Sequence, residues 1–193
     1  MKKNLIFAAA VAVLAMAFTI SAQKAPADFS GKWNLDLAKS KLTDREKAAI
    51  EAQMITVTQT AVDIKIETAT KRIAPPAGAL AGGPPGGGGG MMGGGGMMGG
   101  GGATAPQIFQ LGKETTVEQT MGPNTVPVKM GSKWDGSKLV LSTSRTFNGP
   151  NGEITSTTKE TWELGTDGKT LTVNRESVSP RGTDTTTKVF TKS

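Results

Sequence analysis

The chain has 193 residues, a formal net charge of +6, and no Cys, His or Tyr. Without Cys there is no disulfide framework, and without Cys or His neither zinc sites nor the common Ser-His and Cys-His nucleophile pairs can be built. The positive residues are spread along the chain with few aromatics between them, so the charge reads as a solubility feature and not as a nucleic-acid surface.

Met1-Lys2-Lys3-Asn4 is a positive start, followed by an apolar run over residues 5–20 and then Ser21-Ala22-Gln23. That layout predicts a secretory signal peptide over residues 1–22, cleaved after Ala22. The apolar run is shorter than the roughly 20 residues a membrane-spanning helix needs, and no Cys follows it to carry a lipid. The expectation is an exported protein, periplasmic or extracellular, with no membrane anchor after cleavage. It should be a monomer with one domain over residues 29–193.

Trp33, Leu35 and Leu37 alternate with polar neighbours, the pattern of a half-buried first strand. Thr43 and Glu46 form a capping-box pattern ahead of Ala48, Ala49, Ile50 and Ala52, which predicts a helix of roughly three turns. Strands resume at residues 55–58 and 62–66. Residues 74–103 are nearly all Gly, Pro and Ala, with Met91, Met92, Met97 and Met98 among them. Such a stretch has too little apolar surface to offset the entropy of ordering, and it reads as a disordered loop within one domain.

Residues 107–111 and 115–119 then read as a hairpin about Gly112-Lys113. Five longer strands follow, over 126–134, 138–147, 153–164, 169–179 and 183–191. Asp135-Gly136 and Asp167-Gly168 suit the central positions of two-residue hairpin turns, where positive φ is needed. The second turn would set Leu164 opposite Leu171, Trp162 opposite Val173 and Glu160 opposite Arg175. The first would set Met130 opposite Leu141 and Val128 opposite Thr143. In both hairpins the larger apolar residues share a face, and a one-residue slip would turn them over. Short sequential turns favour an all-β, up-and-down antiparallel meander barrel of about eight to ten strands, with one short helix after the first strand. A two-layer sandwich would carry longer crossing connections.

Gly31-Lys32-Trp33 at the start of such a barrel resembles the lipocalin and fatty-acid-binding-protein superfamily, the calycin-type barrels. With Trp134-Asp135-Gly136 and Asp167-Gly168-Lys169-Thr170-Leu171 beside it, the chain is similar to exported bacterial lipocalin-like proteins over residues 29–193, apart from the glycine segment. The resemblance implies that Trp33 packs at the closed end of the barrel. It also implies a basic residue from the last strands against that Trp, with Arg175, Lys188 and Lys192 as candidates. The helix after the first strand and the strand count are closer to the fatty-acid-binding branch, which usually has two helices there. What the resemblance implies for function is binding of a small, hydrophobic or amphipathic molecule inside the barrel, with no cofactor.

Arg145, Glu160, Trp162 and Arg175 share the parity of the inward apolar residues. A charge inside a barrel is costly unless paired or solvated, and Arg offers a forked donor suited to a carboxylate. Arg145 and Arg175 are therefore candidates to receive a polar or anionic ligand head, with Glu160 orienting Arg175 and Trp162 on the cavity wall. The plainer reading is a structural Glu160–Arg175 pair with no ligand, and Trp33, Trp134 and Trp162 as core packing. Short inward residues such as Thr143, Ser156 and Thr158 favour a cavity over a packed core. The alternative function is a non-enzymatic structural or interaction module with a filled core in the cell envelope. An enzyme comes third: Glu160 with Glu118 or Asp63 would make a carboxylate pair, but no spacing argument joins them. The thioethers of Met91, Met92, Met97 and Met98 would suit copper(I), although a low-complexity segment in which Met is incidental explains them as well.

Overall fold

The computed structural model describes residues 26–74, 102–121, 124–149 and 152–193. The segment read as a signal peptide and the four paired methionines lie outside these residues. The elements are β1 (Gly31–Leu35), α1 (Asp44–Ala49), β2 (Ile50–Gln59), β3 (Asp63–Arg72), β4 (Gly102–Ala103), β5 (Gln107–Gln110), β6 (Glu114–Met121), β7 (Asn124–Asp135), β8 (Lys138–Gly149), β9 (Gly152–Leu164), β10 (Thr170–Ser179) and β11 (Gly182–Lys192). The sheet runs β4-β3-β2-β1-β11-β10-β9-β8-β7-β6, with β5 also on β3. Every pairing is antiparallel, and the first strand pairs with the last. The result is a nearly closed up-and-down barrel, as the short sequential turns predict.

The barrel closes because each strand alternates. Ile55 and Val57 on β2, Ile64 and Ile66 on β3, Leu139 and Leu141 on β8, and Leu171 and Val173 on β10 all point inward into one core. Phe29, just before β1, plugs the end that carries the β7–β8 and β9–β10 turns. Its ring stacks on Trp134 (centroids 6.1 Å apart, 13° between planes) and meets Trp162 edge-on at 5.9 Å. Trp33 is fully buried beside it and donates its indole N–H to the Phe29 carbonyl at 2.9 Å. The basic residue over Trp33 is Lys192, whose Nζ lies 5.1 Å from the ring centroid. Gly31 has φ +133°, and a Cβ there would come within 2.8 Å of Lys192 Cε. Glycine is thus favoured by its backbone conformation, and any larger residue would also push the flexible lysine stem aside.

Four local expectations change. The capping box forms, with Thr43 Oγ1 accepting from Glu46 N at 3.2 Å and the Glu46 carboxylate accepting from Thr43 N. The helix nonetheless ends after six residues, because buried Ile50 is already extended and pairs with Arg72 on β3. A helix this short has little stability of its own, so burial and the strand ladder take over its C-terminal end. Secondly, β5 and β6 are joined by a tight turn but do not pair with each other. β5 ladders onto β3 and β6 onto β7, so the chain itself crosses the seam of the barrel. Ser132 of β7 ties that crossing: its Oγ accepts from Gly112 N at 3.1 Å and donates to the Gln110 carbonyl at 2.8 Å.

Thirdly, Asp135 pairs with Lys138, so Gly136 and Ser137 form the turn, and Met130 faces Thr143 while Val128 faces Arg145. Gly136 has φ +60° and, among the described residues, no residue other than glycine has positive φ. That fits a type II′ turn, which places Gly first. The shift keeps the parity, so the same side chains face inward. The Asp167-Gly168 hairpin keeps the expected register, Leu171 on Leu164 and Arg175 on Glu160. It does so through a four-residue loop in which Asp167 accepts from the amides of Lys169 and Thr170. Fourthly, the glycine segment is bounded differently at its C-terminal edge: Gly102 and Ala103 form β4 on Thr70 and Ala69.

Candidate functional site

The interior has two unlike halves. Going up β8 from the end plugged by Phe29, the inward residues are Leu139 and Leu141, then Thr143 and Arg145. On β9 they are Trp162, then Glu160, Thr158 and Ser156. On β10 Leu171 and Val173 give way to Arg175 and Ser177. On β11 Phe190 gives way to Lys188 and Thr186. The first group is buried. The second is mostly half-exposed although it faces inward, so the far half of the barrel is open to water.

Arg145, Glu160 and Arg175 all face inward there, as their shared parity predicts; Glu160 stands opposite Arg175, and Arg145 opposite Ser156. Glu160 is opposite Arg175 in register, with Arg175 Nε 3.9 Å from Glu160 Oε1 and side chains 40% and 30% exposed. That separation is an ion pair and not a hydrogen bond. Arg175 Nε is buried and, among the described residues, has no hydrogen-bond partner. Glu160 uses its other oxygen to accept from the Trp162 indole N–H at 3.0 Å. Trp162 packs in the core against Phe29 and marks the boundary between the halves. The Arg145 guanidinium is held below the ordinary arginine range, first by burial and then by the neighbouring charge of Arg175. Of the two guanidiniums, Glu160 pairs with Arg175, and Arg145 feels the like charge of Arg175.

Five further residues complete the half. Thr186, next to Arg175 in register, is 9% exposed with an unpartnered Oγ1. Lys188 reaches Glu46 of α1 at 3.4 Å and donates to Gln53 on β2 at 3.3 Å. Burial pushes the Glu46 carboxyl up, but Lys188 and the cap bonds to Thr43 together hold it below its ordinary value. Gln53 in turn donates to Thr70 at 3.0 Å. The helix is therefore fastened at the open end through an inward lysine. Thr186 and Lys188 were legible in principle, since Ser179-Pro180-Arg181-Gly182 is a turn with Pro second, and the register about it sets Thr186 opposite Arg175. Of the carboxylates weighed with Glu160, Asp63 stands on β3 with its side chain bonded to Thr60, and Glu118 on β6 is exposed. Neither shares the inward parity of Glu160.

A shallow depression on the outer face of β9–β11 is lined by outward residues including Lys159, Thr161, Asn174, Glu176, Thr185 and Thr187. Among the described residues no group of three or more acidic side chains is placed to hold a metal ion.

No protein-family model matches the chain, and no curated protein matches it either. Among solved structures it is similar to zebrafish ileal bile acid-binding protein in complex with cholic acid, at 16% identity and a TM-score of 0.45, covering 86% of this chain and 98% of that one. It is also similar to secretory abundant heat soluble protein 4 from Ramazzottius varieornatus, at 16% identity and a TM-score of 0.43, covering 85% of this chain and 94% of that one.

Proposed function

We propose that this chain is a binding protein, not an enzyme, which holds a small amphipathic molecule in the open half of its barrel with an anionic head at Arg145 and Arg175. One observation carries the reading: two inward guanidiniums are close enough to oppose each other, Glu160 pairs with Arg175 alone at 3.9 Å, and Arg175 keeps a buried donor with no hydrogen-bond partner among the described residues. Positive charge drawn partly out of water in this way costs stability unless an anion answers it. A carboxylate or sulfonate would accept from both arginines. The apolar part of the ligand would lie along Phe147 and Ile154 on β8 and β9 and Val126 on β7, because the closed half is filled. Export through the N-terminal 22 residues belongs to the same proposal and rests on their pattern.

The test uses a matched pair of probes, anilinonaphthalenesulfonate and the neutral phenylnaphthylamine that lacks its sulfonate. The sulfonate should bind the wild-type chain at least ten times more tightly than the neutral body, and Arg175→Met or Arg145→Met should abolish that difference. Sulfonate binding that neither substitution weakens would refute an anion site at these arginines. The second reading, a structural module with a filled core, is supported by the packing of the closed half and expects neither probe to enter.

A further inference from the structure

The inward groups around the two arginines are hydroxyls and amides, which is unusual company for an alkyl chain. Thr143, Ser156, Thr158, Ser177 and Thr186 line β8 to β11, and Gln53 with Thr70 faces them from β2 and β3. Some of these are already answered: Gln53 bonds Thr70 and Lys188, and Thr158 lies 3.5 Å from Ser177. Thr186 is not. Its side chain is more than nine-tenths buried, faces inward beside Arg175, and its Oγ1 has no partner among the described residues. An alkyl chain laid over these groups would strip their water and bond none of them, and each hydroxyl so stranded costs about five- to a hundred-fold in affinity. A ligand that brings its own hydroxyls turns the same groups from a penalty into contacts.

Charge narrows the class further. The half-buried inward charges of this half are Arg145, Arg175 and Lys188 against Glu160 and the Glu46 that reaches Lys188. Lys188 is already matched by Glu46, and Glu160 answers only one of the two arginines. One positive charge is left over, which suits a single carboxylate better than a doubly charged phosphate ester.

We propose that the open half recognises a polyhydroxylated monoanion of the sugar-acid type, with Thr186 reading a ligand hydroxyl while Arg145 and Arg175 hold the carboxylate. The inference rests on the anion-binding reading above and deepens it. Octyl glucuronide and octanoate carry one carboxylate and one eight-carbon unit each, so titrating the full chain with both isolates the sugar hydroxyls. The glucuronide should bind at least ten times more tightly. Thr186→Val should remove most of that preference and leave octanoate affinity unchanged, and it should fold at least as well as wild type, since it deletes a hydroxyl with no partner. Ser177→Ala gives a second variant on the neighbouring strand and should weaken the glucuronide alone by a few-fold.

Equal affinity for the two probes overturns the sugar-acid inference, as does a Thr186→Val loss shared by both. If the arginine-dependent sulfonate binding described above persists in that case, the anion site stands and only its hydroxyl specificity falls. If neither octyl probe binds and the sulfonate ignores both arginines, the two proposals fall together.

Discussion

The same four strands, β8 to β11, build both halves of this barrel, and the halves differ only in which residues occupy the inward positions. Near Phe29 the buried Trp33 indole is answered by a carbonyl, and the exposed Lys192 lays its charge over the ring face. Near α1 the inward groups are half-wet, charged and incompletely paired. The contrast teaches where packing stabilises the barrel and where the proposed recognition would take place. Apolar packing at one end is large enough to define the barrel, which leaves the other end free to keep groups that a folding-only sequence would replace.

Breaking the closed half should therefore be costly and breaking the open half should not. Trp33→Ala removes a fully buried indole and strands the Phe29 carbonyl, so urea unfolding should show a loss of about 3–5 kcal/mol. Gly31→Ala should cost about 1–3 kcal/mol through its positive φ and the contact with Lys192. Adding Lys192→Ala should recover only the steric part, because the backbone conformation remains. Arg175→Met, by contrast, should leave the urea midpoint within about 1 kcal/mol of wild type or raise it, since a poorly paired charge is replaced by apolar volume. If Arg175→Met proves as damaging as Trp33→Ala, the division into a stabilising half and a recognising half is wrong.

The seam offers a smaller test within the closed half. Ser132 is buried and satisfies both an amide and a carbonyl of the β5–β6 crossing. Ser132→Ala should cost about 1–3 kcal/mol, and the Gly112 amide should lose its hydrogen-exchange protection before the β8–β9 ladder does. Uniform loss across all strands would show that the crossing is held by something other than this hydroxyl.

Much of this arrangement could be read from residue order, and the exceptions have particular causes. Period-two alternation placed Leu141, Trp162 and Val173 inside, and the Asp167-Gly168 turn set Glu160 against Arg175. The turn at Gly136 lies one residue on from the expected one, because Asp135-Gly136 and Gly136-Ser137 each satisfy a hairpin rule with positive φ at Gly136, and only the φ of Asp135, which is not positive, separates them. The β5–β6 pair looked like a hairpin because turn chemistry is local. Their partners, β3 and β7, are set by closure of the whole sheet. Of the site, the arginines followed from parity. The unpartnered state of Thr186 depends on the packing of its surroundings, which no spacing encodes. The link from Lys188 to Glu46 depends on where α1 stops, and the capping box says only where it starts.

That link yields the smallest effect and a direction that can be checked. The Glu46 carboxyl is held below its ordinary value of 4.5, and Lys188 at 3.4 Å is the nearest charge opposing the burial that would raise it. A carboxyl depressed in the folded state binds protons more weakly there than in the unfolded chain. Its contribution is therefore fully present above about pH 4.5 and is lost as pH falls through the lower folded value. Both side chains are mostly shielded, 13% exposed for Lys188 and 23% for Glu46, so the contribution should be about 1 kcal/mol. Glu46→Gln keeps an acceptor for the Thr43 amide but removes the charge facing Lys188. Its urea midpoint should lie below wild type at pH 7 and converge on it toward pH 3. Midpoints that differ equally at both pH values would mean that the cap, and not the ion pair with Lys188, is what fastens α1 at the open end.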